Sequence, residues 1–170
     1  MFHVITGGSG SGKSAYAEGK ILELGPAPRI YIATMYPFDE ESHLRIDRHR
    51  RMRAEKEFET VECYTGLGSV RVPDNANVLL ECMSNLAANE MFQPGGAGSG
   101  TVAGVMEGIL HLLESCANLI VVTNEIFSDG IQYDEETRTY QRYLGEINVQ
   151  MASMADQVTE VVYGMPLKIK

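Results

Sequence analysis

Residues 3–18, HVITGGSGSGKSAYAE, constrain the fold of this chain more than any other stretch. A short apolar run meets glycines at 7, 8, 10 and 12, and a helical pattern starts at Lys13. Gly7, four residues, Gly12, Lys13 and Ser14 make the G-x-x-x-x-G-K-[ST] pattern in the strand, loop and helix setting that gives it meaning. Backbone N–H groups along Gly7, Gly8, Ser9, Gly10, Ser11 and Gly12 would converge on phosphate oxygens, and the amino end of the following helix adds positive potential there. Lys13 is expected to reach the β- and γ-phosphates and Ser14 to hold Mg²⁺. The bland alternative is a glycine turn followed by a chance Lys-Ser pair, and the periodicity on both flanks argues against it.

Beyond the loop, short β-rich runs alternate with helical patterns, the signature of a parallel sheet covered by helices. Strands are expected at Phe2 to Thr6, Arg29 to Thr34, Phe58 to Cys63, Val78 to Cys82, Leu119 to Thr123, Val158 to Tyr163 and Leu167 to Ile169. Helices are expected at Lys13 to Leu24, Glu40 to Glu55, Met83 to Phe92, Val102 to Cys116 and Glu136 to Met154. In the fourth helix, Val102, Val105, Met106, Ile109, Leu112, Leu113 and Cys116 recur at three- and four-residue steps, a stripe suited to packing on a sheet. The fold predicted is α/β, a P-loop-type and mostly parallel sheet with helices on both faces, in a single domain over residues 1–170. Gln93 to Gly100, QPGGAGSG, reads as a mobile connection or a lid.

Charge and cysteines exclude several classes. A net charge of -9 leaves no basic footprint for nucleic acid, so any anion site must be local. Cys63, Cys82 and Cys116 are far apart with no CxxC pair, which suggests buried reduced thiols rather than disulfides or zinc. No run reaches the roughly 18 apolar residues of a membrane span, and the amino terminus has no signal-peptide pattern, so a soluble cytoplasmic protein is expected.

Against that acidic background, HLRIDRHRRMR gathers Arg45, Arg48, Arg50, Arg51 and Arg53 around His49. Arg45, His49 and Arg53 are spaced by four and share one helix face. This is either a solvated charged helix or a second phosphate-handling surface. On the second reading, a histidine ring nitrogen can attack phosphorus while arginines steady the phosphoryl oxygens and a departing pyrophosphate. The buried run NVLLECMSN ends its apolar stretch at Glu81, where a phosphate-loop protein needs a carboxylate beside its metal.

The segments TGGSGSGKSAYAE, YIAT, RIDRHRRMR, LLECMSN, VTNE and ADQVTEVVYGMPLKIK follow one another as in a known family. The chain resembles, over essentially its whole length, the bifunctional adenosylcobinamide kinase and adenosylcobinamide-phosphate guanylyltransferase of cobalamin biosynthesis. The resemblance implies phosphorylation of the aminopropanol arm of adenosylcobinamide by ATP or GTP. Transfer of GMP from GTP to that phosphate follows, through a guanylylated histidine at the position of His49. It implies Lys13 and Glu81 as further catalytic residues, and Ser14 and Glu81 on Mg²⁺. Nucleotide contacts would come from residues 7–14, Thr34, Arg45, Arg50, Arg53, Glu62, Glu81 and Asn85. It also implies a homotrimer with adenosylcobinamide and nucleoside triphosphates as its small-molecule partners. Asn124 and Glu125 match positions near the nucleotide, although an ordinary polar strand exit reads equally well.

The chain departs from the family in two places. Some relatives carry two adjacent histidines where Arg48 and His49 stand, so the acceptor role rests on His49 alone. After VTNE the segment IFSDGIQYDEETRTYQRYLGE differs, which leaves the roles of Asp129, Arg138 and Arg142 open. His3, His43 and His111 are expected to be structural or solvated. The alternatives to a bifunctional transferase are a kinase-only phosphate-loop enzyme and a non-catalytic nucleotide-dependent switch.

Overall fold

Phe2–Thr6 forms β1, buried at its first four residues, and the chain that follows is built outward from it. The computed structural model describes residues 1–128 and 130–170, with every side chain in that span except those of Arg45 and Met52. The remaining strands are β2 (Arg29–Ala33), β3 (Phe58–Glu62), β4 (Asn77–Glu81), β5 (Asn118–Val122), β6 (Gln157–Val162) and β7 (Met165–Lys168). They form one sheet in the order β3-β2-β4-β5-β1-β6-β7. All pairings are parallel except that of β7, which returns antiparallel on β6.

The helices α1 (Lys13–Glu23), α2 (Glu40–Arg53), α3 (Met83–Phe92), α4 (Thr101–Ser115) and α5 (Glu135–Met154) divide between the two faces. On one face, Leu86 of α3, Val105, Ile109 and Leu112 of α4, and Leu144, Ile147 and Met151 of α5 cover Val4, Ile32, Leu80 and Val121. On the other, Ala17 and Ile21 of α1 cover Ile5, Leu79, Ile120 and Val122. The period-2 alternation of the strands therefore feeds two cores, which is why these strands read as continuous apolar runs. The α/β architecture with a mostly parallel sheet and helices on both faces matches the expectation from sequence.

Helix α2 has no such stripe. Its stability comes from its ends: Asp39 caps it by accepting from the Ser42 amide at 2.7 Å, Glu40 and Glu41 lie in the first turn, and Arg50, Arg51 and Arg53 in the last. That charge order suits the helix dipole. Arg53 is buried and lays its guanidinium 3.4 Å from the centroid of the Tyr31 ring, which brings α2 onto the α1 side of the sheet.

Two expectations are corrected by the structure. The last strand runs over Met165–Lys168 rather than from Leu167 to Ile169, because Tyr163 and Gly164 both take positive φ and reverse the chain tightly behind β6. The edge strand so formed is exposed throughout and carries no inside–outside alternation to read. Gln93 to Gly100 is pinned rather than free: it ends in a short 3₁₀ turn, Gly98–Gly100. The buried Glu90 carboxylate accepts from the Ala97 amide at 2.9 Å and from the Gly66 amide at 2.6 Å. Among the described residues, no helix is long and apolar enough to cross a membrane.

Candidate active site

The carboxyl ends of the parallel strands carry the polar groups, as expected of an open α/β sheet. The loop from Gly7 to Gly12 leaves β1 and enters α1 through Gly12, whose φ of 92° is a left-handed conformation that suits glycine. Gly7 is required for a different reason. A Cβ there would stand 2.5 Å from the Val161 carbonyl oxygen. The loop is buttressed from two sides, since Glu125 N–H donates to the Gly7 carbonyl at 3.0 Å and Gly164 N–H to the Ser11 carbonyl at 2.8 Å.

Lys13 is buried and donates to the Gly8 carbonyl at 2.9 Å, so its ammonium is folded over the loop it serves. Burial lowers its pKa, against the nearby Cys82 and Glu81 side chains, which raise it. Ser14 donates its hydroxyl to Glu81 Oε1, while Glu81 Oε2 is buried with no hydrogen-bond partner among the described residues. A hydroxyl and a carboxylate with one orphaned oxygen, set beside the Gly7–Gly12 loop, fit Mg²⁺. That ion takes one or two protein oxygens and completes its shell with water and phosphate.

Glu81 also lines a cleft between α2 and the ends of β2, β3 and β4. His49, Arg50, Arg53, Glu62 and Asn85 line it with Glu81. Among the described residues, His49 Nδ1 is buried and makes no hydrogen bond, and Arg53 leaves Nε and Nη1 buried without partners. Unsatisfied donors of a buried arginine are costly unless an anion meets them, so the chemistry of this end of the cleft fits an anion. Arg50 and Glu62 pair at 2.7 Å, and the Tyr64 hydroxyl donates to the other Glu62 oxygen at 3.0 Å. Tyr31 forms the floor, its hydroxyl held well above its ordinary pKa by burial first and by the Glu81 carboxylate second.

The structure thus brings together residues 7–14, His49, Arg50, Arg53, Glu62, Glu81 and Asn85, with Glu81 shared between loop and cleft. The side chain of Arg45 lies outside the described residues, as does Asp129. Thr34 is completely buried and exchanges two hydrogen bonds with the Cys82 backbone, donating at 2.8 Å and accepting at 2.7 Å. Its hydroxyl therefore joins the exits of β2 and β4. Asn124 donates to Ser84 at 2.6 Å, and Glu125 accepts from Phe127 N–H and the Ser128 hydroxyl, both at 2.9 Å. Arg138 and Arg142 lie on α5 and do not line the cleft. Of the other histidines, His3 is buried against Thr159 at 2.9 Å, and His111 contacts the Val70 carbonyl at 2.9 Å. Tyr31, the first residue of the YIAT segment, and Tyr64, which lies in no motif, also shape the cleft.

Residues 3–169 match the family model described as cobinamide kinase / cobinamide phosphate guanyltransferase. The chain is 32% identical over 186 aligned residues to the bifunctional adenosylcobalamin biosynthesis protein CobU of Salmonella typhimurium. It is 32% identical over 184 to the protein of the same name from Escherichia coli, and both alignments cover all of each chain. Its identity to the bifunctional adenosylcobalamin biosynthesis protein CobP of Pseudomonas aeruginosa is 30% over 174 residues, covering all of this chain and 98% of the relative. Among solved structures, the flagellar accessory protein FlaH from Methanocaldococcus jannaschii aligns with 99% of this chain and 77% of its own. The TM-score is 0.52 at 12% identity, a likeness of fold alone.

Proposed function

The chain belongs to the cobinamide kinase / cobinamide phosphate guanyltransferase family, and from that membership we propose that it carries out both reactions on adenosylcobinamide in cobalamin biosynthesis. In the first, the hydroxyl of the aminopropanol arm attacks the γ-phosphorus of ATP or GTP, giving adenosylcobinamide phosphate and the nucleoside diphosphate. In the second, a ring nitrogen of His49 attacks the α-phosphorus of GTP. A nitrogen–phosphorus bond forms and the bond to pyrophosphate breaks. An oxygen of adenosylcobinamide phosphate then attacks the same phosphorus, yielding adenosylcobinamide-GDP and freeing the ring.

The observation that carries this reading is Glu81, which bonds the loop's Ser14 and lines the cleft that holds His49, Arg50 and Arg53. One carboxylate joins a triphosphate cradle to a nucleophile surrounded by cations. Residues 7–14 would bind the triphosphate, with Lys13 neutralising charge on its outer phosphates. Arg53, with its free N–H groups, would hold phosphoryl oxygens as charge moves to pyrophosphate. Arg45, Arg50, Glu62, Asn85 and Thr34 would complete the nucleotide site, Thr34 by fixing the Cys82 backbone. Ser14 and Glu81 would hold Mg²⁺, which neutralises phosphate charge. A cytoplasmic homotrimer is part of the same reading.

The test is intact-protein mass after incubation with Mg²⁺ and GTP. An acid-labile adduct of one GMP is expected on the wild-type chain and none on His49→Ala, which keeps at least part of the kinase turnover. No adduct where GTP demonstrably binds would sink the transferase assignment.

A further inference from the structure

Under the function proposed above, the acceptor carries a corrin macrocycle far larger than the phosphorylated arm that reacts. The cleft beside His49 is a narrow space whose lining includes arginine, histidine and carboxylate groups. The macrocycle must therefore remain outside while its arm reaches in. At the mouth of the cleft, the segment between β2 and α2 carries Tyr36 and Phe38, 38% and 68% exposed, with ring centroids 4.7 Å apart. Tyr36 meets Tyr64 at 5.0 Å, and Tyr64 lines the cleft itself.

Clustered exposed aromatics beside a charged cleft mark a surface that something apolar covers. The rings are inclined to each other by 53° and 73°, so they offer a stepped apolar surface rather than one flat stacking plane. Such a surface suits the puckered, methyl-fringed edge of a corrin better than a purine. It is also tied to the reacting groups, because the Tyr64 hydroxyl bonds Glu62 and Glu62 bonds Arg50.

We propose that Tyr36, Phe38 and Tyr64 form the docking surface for the corrin ring of the acceptor, and so select a corrinoid over a free aminopropanol phosphate. The inference rests on the transferase reading and is tested separately from it with the double variant Tyr36→Ala, Phe38→Ala. GMP-adduct formation from GTP alone should proceed at the wild-type rate. The KM for adenosylcobinamide phosphate should rise about tenfold, the loss of roughly one aromatic contact, with kcat retained. Transfer to 1-amino-2-propanol phosphate, which lacks the ring, should be the same in both proteins. An unchanged KM for the corrinoid in the double variant would overturn the proposal. Slowed adduct formation would also overturn it, by giving the rings to the guanine base. If the wild-type chain forms no adduct, the transferase reading itself fails and the docking surface falls with it.

Discussion

Lys13 illustrates how one residue serves a loop before any ligand arrives. Its ammonium rests on the Gly8 carbonyl and is lowered in pKa by burial, so a triphosphate would meet a cation already held in place. Lys13→Ala is expected to reduce both phosphorylation and guanylyl transfer by roughly 10²–10³-fold, as removal of one preorganised charge partner does. Normal kinase turnover in that variant, measured by ADP release, would contradict a shared cradle. The loop, His49 and Glu81 were legible because each sits in a local pattern of spacing and residue type. Thr34 was named as a nucleotide contact, but neither its pairing nor Asn89 was legible, since the Thr34 hydroxyl finds Cys82 across 48 positions and Asn89 donates to the Thr34 carbonyl across 55. Such pairings follow from strand order, and a linear pattern does not contain strand order.

Among the elements, α4 shows how tightly the second layer fits. Its apolar stripe is readable from period alone, but the space available to it is not. Gly108 faces Leu67, which is 1% exposed, and a Cβ at Gly108 would lie 2.6 Å from the Leu67 Cβ and 2.8 Å from its Cγ. Gly108→Ala raises helix propensity yet should destabilise the protein by about 1–3 kcal/mol through overpacking. A lower urea midpoint at unchanged m-value would show it, whereas a gain in stability would mean that Leu67 yields freely. The same distinction applies to the glycines at 95, 96, 98 and 100. Their composition suggests a mobile connection, and the partner that holds them, Glu90, lies one helix earlier with nothing in its neighbours to mark it.

For the molecule as a whole, His3 couples the sheet to pH. It sits in β1, an interior strand, bonded to Thr159 of the adjacent β6, with its pKa lowered by burial and by Lys20. The unfolded chain then binds a proton that the folded one resists. The contribution of His3 is therefore intact above about 6.5 and is lost as pH falls below that value toward the folded pKa. Thermal midpoints should decline on acidification through this range, and less steeply in a His3→Gln variant; parallel profiles would exclude His3 as the cause.

Sheet order has a kinetic consequence as well. The phosphate loop begins near residue 7, yet it is held by Glu125 and Gly164, and β1 finds its two neighbours only in β5 and β6. A nascent or refolding chain can form α1 early through local contacts, but closing so long a stretch comes late. Nucleotide binding should therefore appear with the final phase of refolding, and a saturating triphosphate, by associating with the finished state alone, would act as the protein's own folding ligand.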